Sequence, residues 1–167
     1  MTTVKTEQEQ AKQWAYAEAT RYMSNATETL QKAGKENSYY ADPKYVRSAC
    51  GIAYLGVLVA LDTWLEFKGV QLPKKPKRKS IEFYTASVAT RDGKLLKELN
   101  SAYRFLHLNG YSEGECSVLT IQDGFNHAYS IIARIKPENE LTQEEYKALK
   151  AKKKPAWLLS LFSFFFA

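Results

Sequence analysis

Between Tyr45 and Leu65 the chain reads YVRSACGIAYLGVLVALDTWL, with Ala, Gly, Ser and Cys alternating with large aliphatics and charge only near the ends. This pattern predicts a central helix buried on most of its faces. Asp42 and Pro43 mark its entry, a side-chain acceptor for orphan amides followed by a residue whose fixed φ suits the first helical position. Gly69 marks its exit. The uncharged run Ser48 to Leu61 holds 14 residues, whereas crossing a bilayer takes about 20. A core helix, not a membrane span, follows.

The same periodicity predicts a first helix from about Thr6 to Lys32, with Ala15, Ala19, Tyr22, Ala26, Leu30 and Ala33 on one stripe and Gly34 as its stop. That stripe is narrow and small, so it matches Ala49, Gly51, Ala53, Gly56 and Ala60 of the central helix. Close antiparallel packing of the two is expected, with Tyr39 and Tyr40 placed to cover the bundle's end. VQLPKKPKRKS follows as an exposed linker, since Pro73 and Pro76 exclude regular helix. Ser80 caps a third helix whose apolar positions Ile81, Tyr84, Val88, Leu95, Leu99, Ala102 and Leu106 keep one phase across Asp92 and Gly93. One continuous helix to about Leu108 is expected, ended by Asn109 and Gly110.

A fourth helix spans about Ser117 to Ile135, with Val118, Ile121, Phe125, Ala128, Ile132 and Ile135 on its stripe. Thr142 and Glu145 form a capping-box pattern for a short charged helix to about Lys153. No β-hairpin signal competes. The chain is therefore read as all-α: an antiparallel up-down four-helix bundle over residues 6–136, then a charged short helix and an apolar tail over 137–167.

The formal net charge of +6 does not describe an evenly basic surface. Lys74, Lys75, Lys77, Arg78 and Lys79 form one cluster, and Lys147, Lys150, Lys152, Lys153 and Lys154 another. Removing those ten from 24 basic residues leaves 14 against 18 acidic ones, a mildly acidic body. The N-terminus MTTVKTEQEQAKQW has no apolar signal core, so a cytoplasmic address is expected. Cys50 and Cys116 lack a CxxC partner and read as small buried side chains.

Candidate chemistry begins with the two histidines. Asp123 and His127 lie four residues apart on one helical face, a geometry that permits a carboxylate-oriented imidazole; the alternative is an ordinary solvent-facing stripe, which the lack of a second histidine at metal spacing favours. Arg104 and His107 share a face, as a phosphate-assisting pair or as a polar helix end. No phosphate loop, nucleophile elbow, HExxH or paired-cysteine zinc motif occurs. Neither metal nor cofactor is implied, and no catalytic residue is assigned. The many tyrosines of the first half are read as packing rather than as a pocket.

The Lys74 to Lys79 cluster suits phosphate backbones electrostatically, but no aromatic residue is interleaved for base stacking, so a solubilising linker is favoured. The tail PAWLLSLFSFFFA offers Trp157, Leu158 and Phe162 as docking residues on protein. Its basic lead-in is also compatible with a membrane surface, or with an unstructured end. On the central helix, Leu55 and Leu58 lie on a side left without a cover by the first hairpin. That surplus apolar surface calls for the tail, a second copy or another protein.

The stretches AYAEATRYMSNATETLQKAG and YYADPKYVRSACGIAYLGVLVALDTWL resemble the first helical hairpin of HEPN-like bundles, and most resemble an uncharacterised bacterial domain-of-unknown-function family within or near that group. The resemblance runs from about Trp14 to Ile135. It implies the bundle fold and a range of roles: endoribonucleases, toxin or antitoxin partners and noncatalytic interaction modules, commonly homodimers. The ribonuclease pattern of that group, an Arg followed after four to six residues by His, is missing. Arg104 and His107 have two residues between them. A noncatalytic dimerising or partner-binding module is the resulting expectation, with a nucleic-acid-associated factor or degenerate ribonuclease using the linker as the alternative, and a small-molecule enzyme or binder third.

Overall fold

A computed structural model describes residues 2–74 and 79–151. They form α1 (Thr2–Gln31), β1 (Lys35–Glu36), β2 (Tyr39–Tyr40), α2 (Pro43–Phe67), α3 (Ile81–Ala89), α4 (Gly93–Ala102), a π-helix (Tyr103–Glu113), α5 (Val118–Ile132) with a 3₁₀ turn at Ala133–Ile135, and α6 (Gln143–Ala151). The all-α bundle is therefore observed. Its rods are α1, α2, the composite of α3, α4 and the π-helix, and α5.

Side-chain size explains how α1 and α2 meet. A Cβ added at Gly56 would lie 3.2 Å from the Ala19 carbonyl oxygen and 3.2 Å from Tyr22 Cβ. Ala15, Ala19 and Ala26 of α1 and Ala49, Ala53 and Ala60 of α2 are all buried. The α2 entry is as its sequence predicts, with Asp42 Oδ1 accepting from the Lys44 amide at 2.9 Å and Pro43 opening the helix. By length and composition α2 could cross a membrane, but 72% of its most apolar window is buried in the bundle. Its hydrophobicity is used internally.

Three local expectations are corrected. The link between α1 and α2 contains a two-residue antiparallel hairpin, Lys35 opposite Tyr40 and Glu36 opposite Tyr39, turned through Asn37 at φ 56°. Tyr40 is buried beneath it, its amide donating to Cys116 O at 2.8 Å, whereas Tyr39 is 58% exposed. Such short pairing has no alternating apolar signature.

The single third helix is instead broken between Ala89 and Gly93. Asp92 adopts an extended conformation, φ −151° and ψ 99°, and its Oδ1 accepts from the Leu95 amide at 2.8 Å. Its Oδ2 accepts from Arg134 Nη1 of the 3₁₀ turn at 2.6 Å. The apolar phase reports only which side faces the core, so a capped break that re-enters in phase leaves the pattern intact.

Nor does the rod stop at Asn109 and Gly110. It widens into the π-helix and ends at Gly114, which sits in the left-handed region at φ 75°. Gly110 is a packing residue: a Cβ there would fall 2.4 Å from Cys50 Sγ.

Ser80 caps α3 as its sequence predicts, its Oγ accepting from Phe83 N at 3.3 Å; at the start of α5, Ser117 Oγ accepts from Thr120 N at 3.4 Å. The capping box is closed by Thr142 N to Glu145 Oε2 at 2.8 Å and Glu145 N to Thr142 Oγ1 at 3.2 Å. α6 rests on α1, where the Tyr146 hydroxyl donates to the buried Glu18. Nearby, Gln13 Nε2 donates to Asn139 O at 2.8 Å.

Candidate interaction surface

The flank where α2 meets the π-helix concentrates the unusual side chains. Arg47, on the second turn of α2, donates through Nη1 to Tyr111 O at 2.8 Å and Ser112 O at 2.6 Å, and through Nη2 to Glu113 O at 3.0 Å. One guanidinium thus satisfies three carbonyls at the end of the π-helix, where no further turn supplies donors. One turn along, Gly51 leaves room for the Tyr111 ring, whose Cδ2 would lie 3.2 Å from an added Cβ.

Spacing by four then stacks three rings along the π-helix. Tyr103 and His107 have centroids 5.1 Å apart at 18°, and His107 and Tyr111 5.8 Å apart at 26°. Tyr54 of α2 packs against both Tyr103 and His107, at 6.0 and 5.2 Å. Burial lowers the His107 pKa, because the charged imidazolium loses hydration among these rings. Burial, then the neighbouring Tyr103, raises that of Tyr54. These are packing groups rather than an acid and base pair.

Leu55 and Leu58 continue the strip on α2, one and two turns beyond Gly51. Both are partly buried. Ile52 and Leu58 pack on the core cluster, whereas Leu55 is not part of it. Tyr111, whose ring lies against Gly51, is 50% exposed.

The other candidate residues do not converge. Arg104 is exposed with its guanidinium over the Phe105 ring at 5.9 Å, while His107 lies in the ladder. His127 Nδ1 lies 2.6 Å from Glu98 Oε2 of α4, and its ring stacks on Phe105. The carboxylate that orients it is thus Glu98; Asp123 is exposed. In the linker, Lys74 is exposed but Lys79 is withdrawn into an ion pair with Asp62. Lys75, Lys77 and Arg78 lie outside the described residues, as do Trp157, Leu158 and Phe162 of the tail. Among the described residues no three His, Cys, Asp or Glu are grouped to hold a metal.

Clefts among the described residues lie on other faces of the bundle. One of about 320 Å³ lies between α1 and the start of α6, with Tyr16, Arg21, Ser24, Thr142 and Tyr146 on its walls. Beneath it Glu18 accepts from Arg21 Nη2 at 2.6 Å and Nε at 3.1 Å. Burial pushes this carboxyl up, but the bonds from Arg21 and Tyr146 outweigh it and hold the pKa low. Another, about 440 Å³, lies between α1, the hairpin and α5, beside Leu30, Lys35, Tyr40 and Phe125. Neither has a histidine or cysteine in its wall. Cys50, pushed to about 12 by burial, packs against Gly110 and is no nucleophile.

Residues 14–137 match the family described as a domain of unknown function, DUF5618. The chain belongs to that family. This DUF5618 chain is also similar to the solved structure of a protein of unknown function from Dyadobacter fermentans, 35% identical with a TM-score of 0.65, over 74% of this chain and 94% of that one. No curated protein matches it. The resemblance to a domain-of-unknown-function family holds at that level; neither match carries the name HEPN.

The π-helix, its ring ladder and its Arg47 cap escaped the sequence reading. Their trace is visible afterwards: Tyr103, His107 and Tyr111 at intervals of four, and glycines at 110 and 114 where a helix end was expected.

Proposed function

We propose that this DUF5618 chain is a noncatalytic HEPN-like bundle that acts by binding, through the α2 and π-helix flank, a second copy of itself in the cytoplasm. The observation that supports this is Leu55, partly buried yet outside the core cluster, one turn along α2 from Gly51, against which the half-exposed Tyr111 packs. Removing such a strip from water contributes roughly 25 cal/mol per Å². The nucleic-acid alternative draws less support, because Lys79 is consumed in an internal pair and Arg104 and His107 engage different rings.

Light scattering across a dilution series tests it. Wild type is expected to dissociate on dilution, and Leu55→Arg to be monomeric throughout with an unchanged circular dichroism spectrum. Leu119→Arg, at the 72% exposed Leu119 on α5, serves as a control that leaves association intact. A wild type that is monomeric at every concentration rules out self-association. RNA cleavage abolished by His107→Ala would overturn the noncatalytic assignment, and steeply salt-dependent RNA binding lost on neutralising Lys74 to Lys79 would favour the alternative.

A further inference from the structure

Three buried apolar side chains, Leu30, Tyr40 and Phe125, meet in the cleft of about 440 Å³ between α1, the hairpin and α5. That volume lies within the range of ligand pockets, about 300–1,000 Å³. The rest of the wall is polar, with Thr27 and Gln31 on α1, Gln122 and Asn126 on α5, and Lys35 on β1. Helix direction sets their levels. α1 runs into the hairpin and α5 away from it, because Ser117 bridges Tyr39 and the Val118 amide donates to Ser38 O at 2.9 Å. Gln31 and Gln122 therefore stand at the hairpin end with Lys35, and Thr27 and Asn126 one turn farther along.

On each helix the two polar residues are four positions apart. Four residues of α-helix rise about 6 Å, close to the roughly 6.4–6.8 Å over which an extended chain repeats the peptide groups facing one side. A carboxamide has an acceptor and two donors, the complement of a peptide C=O and N–H. Among the described residues, the side-chain amides of Gln31, Gln122 and Asn126 have no hydrogen-bond partner. Thr27 Oγ1 donates to Met23 O at 2.9 Å and keeps its capacity to accept. Lys35 is the one charged side chain that the described residues bring to this wall, with Nζ 5.5 Å from the centre of the Tyr40 ring.

We propose that this cleft binds the C-terminal end of an extended peptide from a partner protein. The peptide backbone lies between the α1 and α5 walls, where the side-chain amides meet its C=O and N–H groups. Side chains of an extended chain alternate in direction, so every second one enters the floor of Leu30, Tyr40 and Phe125, and apolar residues suit it. The terminal carboxylate meets Lys35. A nucleic acid would call for a row of cations along its phosphates, whereas one lysine matches one carboxylate. The cleft shares no residue with the α2 and π-helix flank, so this inference does not depend on self-association there.

Nitrogen–proton NMR of the full chain tests it, with N-acetyl-Ala-Leu-Phe as the probe, titrated to about 5 mM so that even a weak contact registers. Saturable shifts of the side-chain amide signals of Gln31, Gln122 and Asn126 are expected. The same peptide with its carboxylate converted to a carboxamide should bind about five-fold more weakly, the upper end for a solvent-exposed ion pair. Lys35→Met removes that difference, and Gln122→Ala combined with Asn126→Ala weakens both forms; all three positions are exposed, so the bundle should remain folded. 3-Phenylpropionate carries a ring and a carboxylate but no peptide group, and should bind more weakly than the peptide. Equal affinity for the two compounds overturns the backbone role of the amides. No shift at these amides, or acid and carboxamide peptides binding alike, overturns the proposal. Shifts there that follow protein concentration without any peptide place a second copy in the cleft instead, and overturn it too.

Discussion

Gly110→Ala tests the closest approach in the bundle. The added methyl would lie 2.4 Å from Cys50 Sγ, 2.8 Å from Cys50 Cβ and 3.2 Å from the Phe105 carbonyl oxygen. Carbon atoms in contact settle at about 3.5–4.0 Å, so the first two overlaps require α2 and the π-helix to separate. Overpacking of this kind costs about 1–3 kcal/mol, whereas replacing a helical glycine with alanine elsewhere gains about 1 kcal/mol. Both closest atoms belong to a residue held in the core, which places the cost in the upper part of that range, about 2–3 kcal/mol, and the net loss at about 1–2 kcal/mol. For a chain of this length that corresponds to a fall in Tm of roughly 2–8 °C. Urea denaturation followed by circular dichroism measures it, with Cys50→Ala as the second arm of a double-mutant cycle. Loss of the sulfur should recover about 1 kcal/mol of the Gly110→Ala penalty. If Gly110→Ala is as stable as wild type, or the cycle shows no coupling, the described seam between α2 and the π-helix is incorrect.

Two further outcomes follow from side-chain caps. Asp92→Ala removes the acceptor for Leu95 N and the partner of Arg134, and should cost about 0.5–2 kcal/mol; Asp92→Asn, which retains a cap, should cost less. The Leu95 amide first, and Arg134 with it, holds the Asp92 carboxyl below 3.8, so its contribution is present above that value and lost as pH falls through the folded one. Acid denaturation of Asp92→Ala should accordingly be shallower than wild type between pH 5 and pH 2. Tyr146→Phe deletes a hydroxyl bonded to the buried Glu18, a loss of about 1–3 kcal/mol confined to the α6 contact. Hydrogen exchange should quicken across 143–151 while the α1–α2 seam keeps its protection, and uniform loosening would contradict a local role.

What the sequence revealed divides along a physical line. Helix faces and caps are local, so the Ala and Gly stripe of α1 and α2, Asp42 with Pro43, Ser80 and the Thr142–Glu145 box could all be read directly. The Asp92 break was hidden because the apolar phase survives it. The π-helix was hidden because its carbonyls are completed by Arg47, more than sixty residues away, and no local pattern announces a distant guanidinium. Lys79 was grouped with its basic neighbours by composition, although its partner Asp62 stood as a lone acid inside an apolar run. Leu55 and Leu58 are partly buried on α2, and the ring ladder that packs on Tyr54 of the same helix comes from a distant part of the chain.

The bond from Gln13 to Asn139 joins two residues just outside either end of the family-matched stretch, 126 positions apart in sequence. Entry and exit of the domain are thereby side by side. A unit arranged this way can be spliced into a loop of another protein, or have its old ends joined and new ones opened elsewhere, with little strain on the bundle.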